Sequence, residues 1–69
     1  YRVQTGSFRN PVYANRMANE LRAQDYPAAV EEGDGFFRVR VGDFHTLDEA
    51  SDVERRLKRA GYPTLIVSF

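Results

Sequence analysis

The chain repeats itself with an offset of 36 residues, and this duplication constrains the fold more than any other feature. Residues 1–33 align without a gap with residues 37–69. Eight positions are identical: Arg2/Arg38, Val3/Val39, Gly6/Gly42, Phe8/Phe44, Ala14/Ala50, Leu21/Leu57, Tyr26/Tyr62 and Pro27/Pro63. A repeat of this length is one supersecondary unit. We therefore expect two copies of one unit, named unit one (residues 1–33) and unit two (residues 37–69).

Each unit has the pattern of a strand followed by a helix. Residues 1–5 and 36–41 alternate apolar and polar side chains, which predicts strands with one dry face. Each strand is expected to end at a glycine, Gly6 or Gly42. Apolar residues then recur at helical spacing, as Ala14, Met17, Ala18 and Leu21 and as Ala50, Val53, Leu57 and Ala60.

Helix boundaries are marked by residues that cap helices. Asn10 before Pro11 reads as an N-cap, and Thr46 stands three residues before Glu49, as in a capping box. Gly61 is suited to the left-handed conformation that ends many helices, and Asp25 holds the matching place in unit one. These signals predict two helices at equivalent positions.

A second strand is expected in each unit, at residues 28–32 and 64–69. In the last strand, Leu65, Val67 and Phe69 are predicted to face the core, which leaves Ile66 on the opposite face. The sequence leaves open whether Ala29 or Val30 faces inward. Gly33-Asp34-Gly35 between the second and third strands predicts a tight hairpin.

This order, β-α-β-β-α-β, predicts an α+β fold of the ferredoxin-like or RNP-like type. Two split crossovers and one hairpin give a four-stranded antiparallel sheet, with the first and third strands central and both helices on one face. The internal repeat becomes a pseudo-twofold axis. The other face of the sheet stays open.

The length, net charge and hydrophobicity of the chain limit its possible functions. Its 69 residues make a single domain, 1–69, and because the sequence begins at Tyr1 we expect it to come from a longer protein. Ten basic residues balance ten acidic ones, so no bulk field favours nucleic acid or an anionic membrane. Apolar runs are too short for a membrane helix, and no signal-peptide pattern is present.

Catalytic and metal-binding patterns are missing from the sequence. His45 is the single histidine and there is no cysteine, which leaves only scattered carboxylates as metal ligands. Glu31 and Glu32 are neighbours in a strand and point to opposite sides, so they do not form a cooperating carboxylate pair. We expect a protein that is not an enzyme and needs no metal or cofactor.

The open face is the candidate site. The alternation places Arg2 and Gln4 on it from the first strand and Phe36, Arg38 and Arg40 from the third. Exposed aromatic, amide and guanidinium groups on one face suit a binding surface. One exposed aromatic and zero net charge make RNA binding weakly supported. A protein-interaction module is a further alternative, for which the second helix offers Arg55, Arg56 and Arg59.

Several segments together resemble the SPOR domain, a bacterial family, over essentially the whole chain. They are Val3-Gln4-Thr5-Gly6-Ser7-Phe8, Leu21-Arg22-Ala23, Phe37-Arg38-Val39-Arg40-Val41-Gly42-Asp43-Phe44 and Leu57-Lys58-Arg59-Ala60-Gly61-Tyr62-Pro63. The resemblance implies a peptidoglycan-binding module of cell-division proteins, wall hydrolases or sporulation proteins. Such modules bind glycan strands without stem peptides and gather at the division septum, in the periplasm or cell wall.

The resemblance also implies the site. The family's ligand contacts fall on Gln4, Ser7, Phe36, Arg38 and Ile66. Ser7 is expected at the rim of the face, just past the first strand. Many relatives have tryptophan where this chain has Phe36. From strand alternation alone we add Arg2 and Arg40. The expected ligand is a denuded glycan strand, bound by a monomer without nucleic acid or membrane contact.

Overall fold

A computed structural model describes residues 1–68 of the chain. Its elements are β1 (Arg2–Phe8), α1 (Pro11–Ala23), β2 (Ala28–Gly33), β3 (Phe36–Val41), α2 (Leu47–Arg59) and β4 (Leu65–Val67). The strands form one antiparallel sheet in the order β2-β3-β1-β4, so β1 and β3 are central. The predicted α+β fold and strand order are confirmed.

The two helices reproduce the sequence repeat residue by residue. Both ends of α2 lie 36 residues after the corresponding ends of α1. The side chain of Asn10 accepts a hydrogen bond from the backbone N–H of Val12 at 2.9 Å, and Thr46 Oγ1 accepts one from the N–H of Glu49 at 3.2 Å. These contacts satisfy N–H groups that have no partner inside the helix. The predicted N-caps are confirmed.

The core lies between the helices and one face of the sheet. Its fully buried apolar side chains are Val3, Ala14, Ala18, Leu21, Val39, Val41, Ala50 and Leu57. Met17 and Val53 are partly buried against them. The predicted apolar stripes are therefore confirmed, except that Ala60 is the exposed C-cap of α2.

The β2–β3 hairpin turns on Asp34 and Gly35, which both have positive φ, 53° and 79°. Positive φ at both central residues is the signature of the type I′ turn that suits a two-residue hairpin. Gly33 then stands opposite Phe36, and the register brings Val30 opposite the buried Val39. Val30 therefore faces the core, which settles the choice that the sequence left open.

Strand β1 does not end at Gly6, and that prediction is wrong. The ladder to β3 shifts between Gln4 and Gly6, where Thr5 is the extra residue of a β-bulge, and pairing continues to Phe8. A bulge changes which residues after it face each side of the sheet. Ser7, expected just past the strand, lies within it.

Within residues 1–68, neither helix is long and apolar enough to span a bilayer. The expectation that Phe69 points into the core lies outside the described residues.

Candidate functional site

The centre of the open face is a pair of residues that the sequence repeat also relates. Gln4 of β1 and Arg40 of β3 are opposite each other in the ladder and 36 positions apart in the chain. The pseudo-twofold axis therefore passes between them. Arg40 Nε donates to Gln4 Oε1 at 3.3 Å. Among residues 1–68, the Gln4 amide donors have no acceptor, so they are available to a ligand.

Ser7 reaches the open face because of the bulge at Thr5. Thr5 itself is buried, and its hydroxyl donates to Met17 Sδ at 3.5 Å on the helix side. Ser7 then stands opposite Arg38, and it is exposed. The bulge thus turns a serine expected at the rim into a member of the face, two residues beyond Gln4 in the pairing with β3.

Phe36 and Arg38 lie together at one end of β3. The Arg38 guanidinium is 5.6 Å from the centroid of the Phe36 ring, within the range of a cation–π contact. Its Nη1 also donates to the backbone oxygen of Gly33 at 3.1 Å. Arg9, just after β1, places its guanidinium 5.3 Å from the same ring. No carboxylate in the described part of the chain pairs with Arg38 or Arg9.

Arg2 and Arg40 differ from Arg38 because both hold Glu31. Arg2 Nη1 contacts Glu31 Oε1, and Arg40 Nη1 donates to Glu31 Oε2 at 2.6 Å. All three side chains are partly exposed, between 26% and 36%. Two guanidinium groups therefore share one carboxylate on β2.

Ile66 is not on the open face, and that prediction is wrong. It stands opposite the buried Val3 and packs against the core. Its neighbours Leu65 and Val67, predicted to point inward, stand opposite Gln4 and Arg2 and therefore share the open face. Leu65 is 57% exposed, so the apolar group that β4 offers a ligand is Leu65.

Two depressions lie on this face, one on each side of the Gln4/Arg40 pair. The neutral depression, about 230 Å³, lies between β1 and β4 and is lined by Gln4, Thr5, Gly6, Ser7, Pro63, Thr64 and Leu65. The charged depression, about 110 Å³, lies between β3 and β2 and is lined by Arg2, Pro27, Ala29, Glu31, Arg40 and Gly42. Gln4 and Ser7 thus share one hollow, whereas Arg2 and Arg40 share the other.

Three site residues were missed from the sequence: Glu31, Leu65 and Arg9. For Glu31 a signal existed, because a two-residue turn at Asp34-Gly35 fixes the hairpin register and places Glu31 opposite Arg38. For Leu65 the repeat carried no signal, because Ile66 corresponds to Val30, whose face the sequence left open. Arg9 carried no pattern of its own.

The arrangement offers hydrogen-bonding, charged and apolar groups on one face. Within residues 1–68, no group of three or more histidine, cysteine, aspartate or glutamate side chains is placed to hold a metal ion. His45 is exposed in the loop before α2. The chemistry available on the face is recognition by guanidinium, amide, hydroxyl and apolar groups.

Comparisons with known proteins agree with this architecture. A solved structure, the solution structure of the peptidoglycan binding domain of the B. subtilis cell wall lytic enzyme CwlC, superposes with a TM-score of 0.87 at 29% sequence identity. The match covers 96% of this chain and 84% of that one. The comparison with curated proteins gives no match. The family model described as SPOR domain matches residues 1–68, and the chain therefore belongs to the SPOR domain family.

Proposed function

We propose that the open face binds peptidoglycan, and within it the glycan strands from which stem peptides have been removed. The observation that carries this proposal is the position of Arg38. It is a guanidinium without a carboxylate partner among residues 1–68, and it stands opposite exposed Ser7 and beside Phe36. The similar CwlC domain is a peptidoglycan binding domain, which supports the same ligand class.

Selectivity would come from the charge that peptide removal uncovers. Cleaving the stem peptide leaves the lactyl carboxylate of muramic acid free, whereas the intact strand has an amide there. A guanidinium can bind a carboxylate through two parallel hydrogen bonds and gains no such contact from an amide. Arg38 therefore favours the denuded strand, and the bulk of a stem peptide further disfavours the intact one.

The neighbouring groups suit the rest of the sugar. Gln4 has free amide donors for an acetamido oxygen, and the Ser7 hydroxyl can donate or accept at the same hollow. Leu65, in place of Ile66, supplies an apolar surface for the C–H face of a ring. Phe36 orients the guanidinium groups of Arg38 and Arg9 and offers its remaining surface to the ligand.

Such a module has no catalytic step of its own and acts by localisation. Binding denuded strands would bring a parent protein to the cell wall where amidases have acted, at the division septum or the spore envelope. Under this proposal the domain acts outside the cytoplasm, as a monomer whose ligand is the glycan rather than nucleic acid or membrane.

Co-sedimentation with cell-wall sacculi tests the proposal. We expect the parent to pellet with amidase-treated sacculi and much less with intact ones. Gln4→Ala and Arg38→Ala should each weaken retention, by more than about tenfold for Arg38→Ala, because a hydrogen-bonded charge contributes about 1.5–3 kcal/mol. Arg59→Ala removes an exposed arginine from α2 and is the charge-matched control.

Two results would contradict the proposal. One is retention of Gln4→Ala and Arg38→Ala at the parent level, with both variants folded by circular dichroism. The other is loss of retention in Arg59→Ala alone, which would move the binding surface to α2 and favour a protein-interaction module. An oligoribonucleotide in the same assay measures RNA binding, for which we expect no retention.

A further inference from the structure

We propose that the charged depression is a second glycan subsite, specific for a carboxylate-bearing sugar, and that Glu31 is its built-in competitor. This inference rests on the proposed function and extends it from one hollow to two. It concerns the side of the sheet formed by β2 and β3, opposite the hollow that contains Gln4 and Ser7.

The sequence repeat relates the two hollows. Residues that line the charged depression occur again in the neutral one, 36 positions away: Arg40 and Gln4, Gly42 and Gly6, Pro27 and Pro63, Ala29 and Leu65. These four pairs of lining positions are therefore related through the axis between Gln4 and Arg40, although the neutral hollow is the larger and the backbone differs at Gly6 and Gly42. A surface that accommodates a sugar at one hollow has a related shape at the other.

The two hollows are well separated on the face. One lies between β1 and β4 and the other beside β3 and β2, so across the strands they are about two strand spacings apart, about 10 Å. This span exceeds one sugar ring and suits a polymer that crosses the sheet. A strand of alternating sugars can therefore occupy both hollows at once, with the Gln4/Arg40 pair beneath its middle.

The two hollows differ in the charged groups that line them. The neutral hollow contains an amide and hydroxyls, whereas the charged hollow contains two guanidinium groups, those of Arg2 and Arg40. Both are already bound to Glu31, and the corresponding position of unit two is Val67, which carries no charge. The carboxylate is thus peculiar to the charged hollow, where it occupies the place that an anionic ligand group would take.

Glu31 can give up this place at low energy. Its side chain is 36% exposed, and ion pairs open to solvent contribute little to stability. A lactyl carboxylate entering the hollow replaces one anion by another across the same two guanidinium groups. Glu31 then turns to water, and the affinity of the subsite is lowered by the competition rather than abolished.

Glutamine at position 31 separates this role from a structural one. Glu31→Gln keeps the size of the side chain and one acceptor oxygen, replaces the other oxygen by an amide donor, and removes the charge. We expect it to lower the dissociation constant for soluble denuded glycan strands by about threefold to tenfold. Glu32→Gln is the matched control, because it makes the same charge change at an exposed neighbour that stands opposite Phe37, on the other side of the sheet.

A blocking variant should have the opposite effect. Ala29 lines the charged hollow, is exposed, and stands opposite Arg40 on the edge strand β2. Ala29→Phe fills the hollow from a position opposite Arg40 and two residues along the ladder from Arg38. We expect a dissociation constant raised about threefold to tenfold for strands of several disaccharides.

Chemical modification of the ligand completes the experiment. Strands whose lactyl carboxylates are converted to methylamides have no anion for the charged hollow, so Glu31→Gln should bind them no better than Glu32→Gln does. The second subsite is overturned if Glu31→Gln gains nothing over Glu32→Gln on unmodified strands, or gains equally on amidated ones. If the parent protein binds no denuded strand, both the proposed function and the second subsite are contradicted. If Gln4→Ala weakens binding while Glu31→Gln and Glu32→Gln have the same dissociation constant, only the second subsite is contradicted.

Discussion

Unit one and unit two begin with the same pattern, Val-x-x-Gly-x-Phe, and fold it in two different ways. In unit one the chain stays extended through Gly6, and β1 continues to Phe8. In unit two the strand ends at Val41, and Gly42 has a φ of 79°. The helices that follow have identical lengths, so the divergence at the glycine does not carry into them.

The difference determines which residues the open face contains. The bulge at Thr5 keeps unit one in the ladder and places Ser7 opposite Arg38. In unit two the chain leaves the sheet, and Asp43, the counterpart of Ser7, is exposed outside any strand. A duplicated sequence has thus produced an asymmetric site, with an uncharged hollow on one side and a charged hollow on the other.

Both glycines exclude a side chain for the same reason, but to different degrees. A Cβ on Gly6 would lie 2.7 Å from the Phe8 ring and 2.9 Å from Met17 Sδ. A Cβ on Gly42 would lie 2.2 Å from the Phe44 ring, and its backbone is left-handed as well. In each unit a phenylalanine covers the glycine two positions before it and closes the end of the core.

The largest expected effect is that of Gly42→Ala. The substitution adds a left-handed penalty of about 1–2 kcal/mol to a direct overlap with a ring, so we expect a loss of about 3 kcal/mol or more in the free energy of unfolding. Gly6→Ala causes only the steric overlap, and the flexible Met17 side chain can relieve part of it. We therefore expect it to lower the free energy of unfolding by about 1–2 kcal/mol. Urea denaturation measures both.

Gly35→Ala is the control for this pair. Gly35 has the same φ as Gly42, 79°, but a Cβ there would meet no atom within 4 Å. We expect a loss of about 1 kcal/mol, from backbone strain alone. Equal losses for Gly35→Ala and Gly42→Ala would show that the Phe44 contact contributes nothing, and the account of the two glycines would be wrong.

The next effect concerns binding, at the pair Ser7 and Asp43. Because only Ser7 is held on the face, Ser7→Ala should weaken retention on amidase-treated sacculi by about fivefold, the equivalent of one hydrogen bond of about 1 kcal/mol. Asp43→Ala should leave retention unchanged. A loss of similar size in both variants would mean that the ligand treats the units alike, against the asymmetry described above.

The helices and the hairpin could be predicted because their signals are local. Asn10, Thr46 and Gly61 mark helix ends whatever surrounds them, and Asp34-Gly35 specifies a turn type through its own φ angles. The placement of Phe36, Arg38 and Gln4 followed from alternation, which is also local.

The features that were missed depend on partners across the sheet. The bulge at Thr5 leaves no mark in the alternation of β1, and it shows only in the pairing with β3. Ile66 lies in a continuous apolar run, Leu65-Ile66-Val67, in which periodicity cannot choose a face. Its inward orientation follows from standing opposite Val3, which a single sequence does not state directly.

A smaller effect on stability is expected at the residues that follow the two helices, which are left-handed in both units. Asp25 and Gly61 follow α1 and α2 with φ of 67° and 96°. Asp25→Gly should raise the free energy of unfolding by about 0.5–1 kcal/mol, because it relieves strain and removes a negative charge from a helix C-terminus. Gly61→Asp should lower it by about 1 kcal/mol. Thermal unfolding of the two variants compares the ends directly, and a stabilising Gly61→Asp would contradict the prediction.

The smallest effect concerns the tyrosines that follow these ends, Tyr26 and Tyr62. The Tyr62 hydroxyl donates to Glu20 Oε1 at 2.5 Å and accepts from Gln24 Nε2 at 3.0 Å, whereas the Tyr26 hydroxyl has no hydrogen bond within residues 1–68. The hydrogen bond to the Glu20 carboxylate, with a contribution from burial, raises the pKa of Tyr62 above its ordinary value of 10.0.

The sign of the pH dependence follows from this raised pKa. The unfolded chain releases the Tyr62 proton at a lower pH than the folded chain does, so the stabilisation is complete below pH 10 and is lost as the pH rises through the folded-state pKa of Tyr62. The parent should therefore lose stability above pH 10 more steeply than Tyr62→Phe. Tyr26→Phe should keep the steeper dependence of the parent, because its hydroxyl has no such partner. Urea midpoints measured from pH 8 to pH 11 test this prediction. Parallel pH curves for the parent and Tyr62→Phe would show that the Tyr62–Glu20 hydrogen bond does not stabilise the contact between unit two and the C-terminal end of α1.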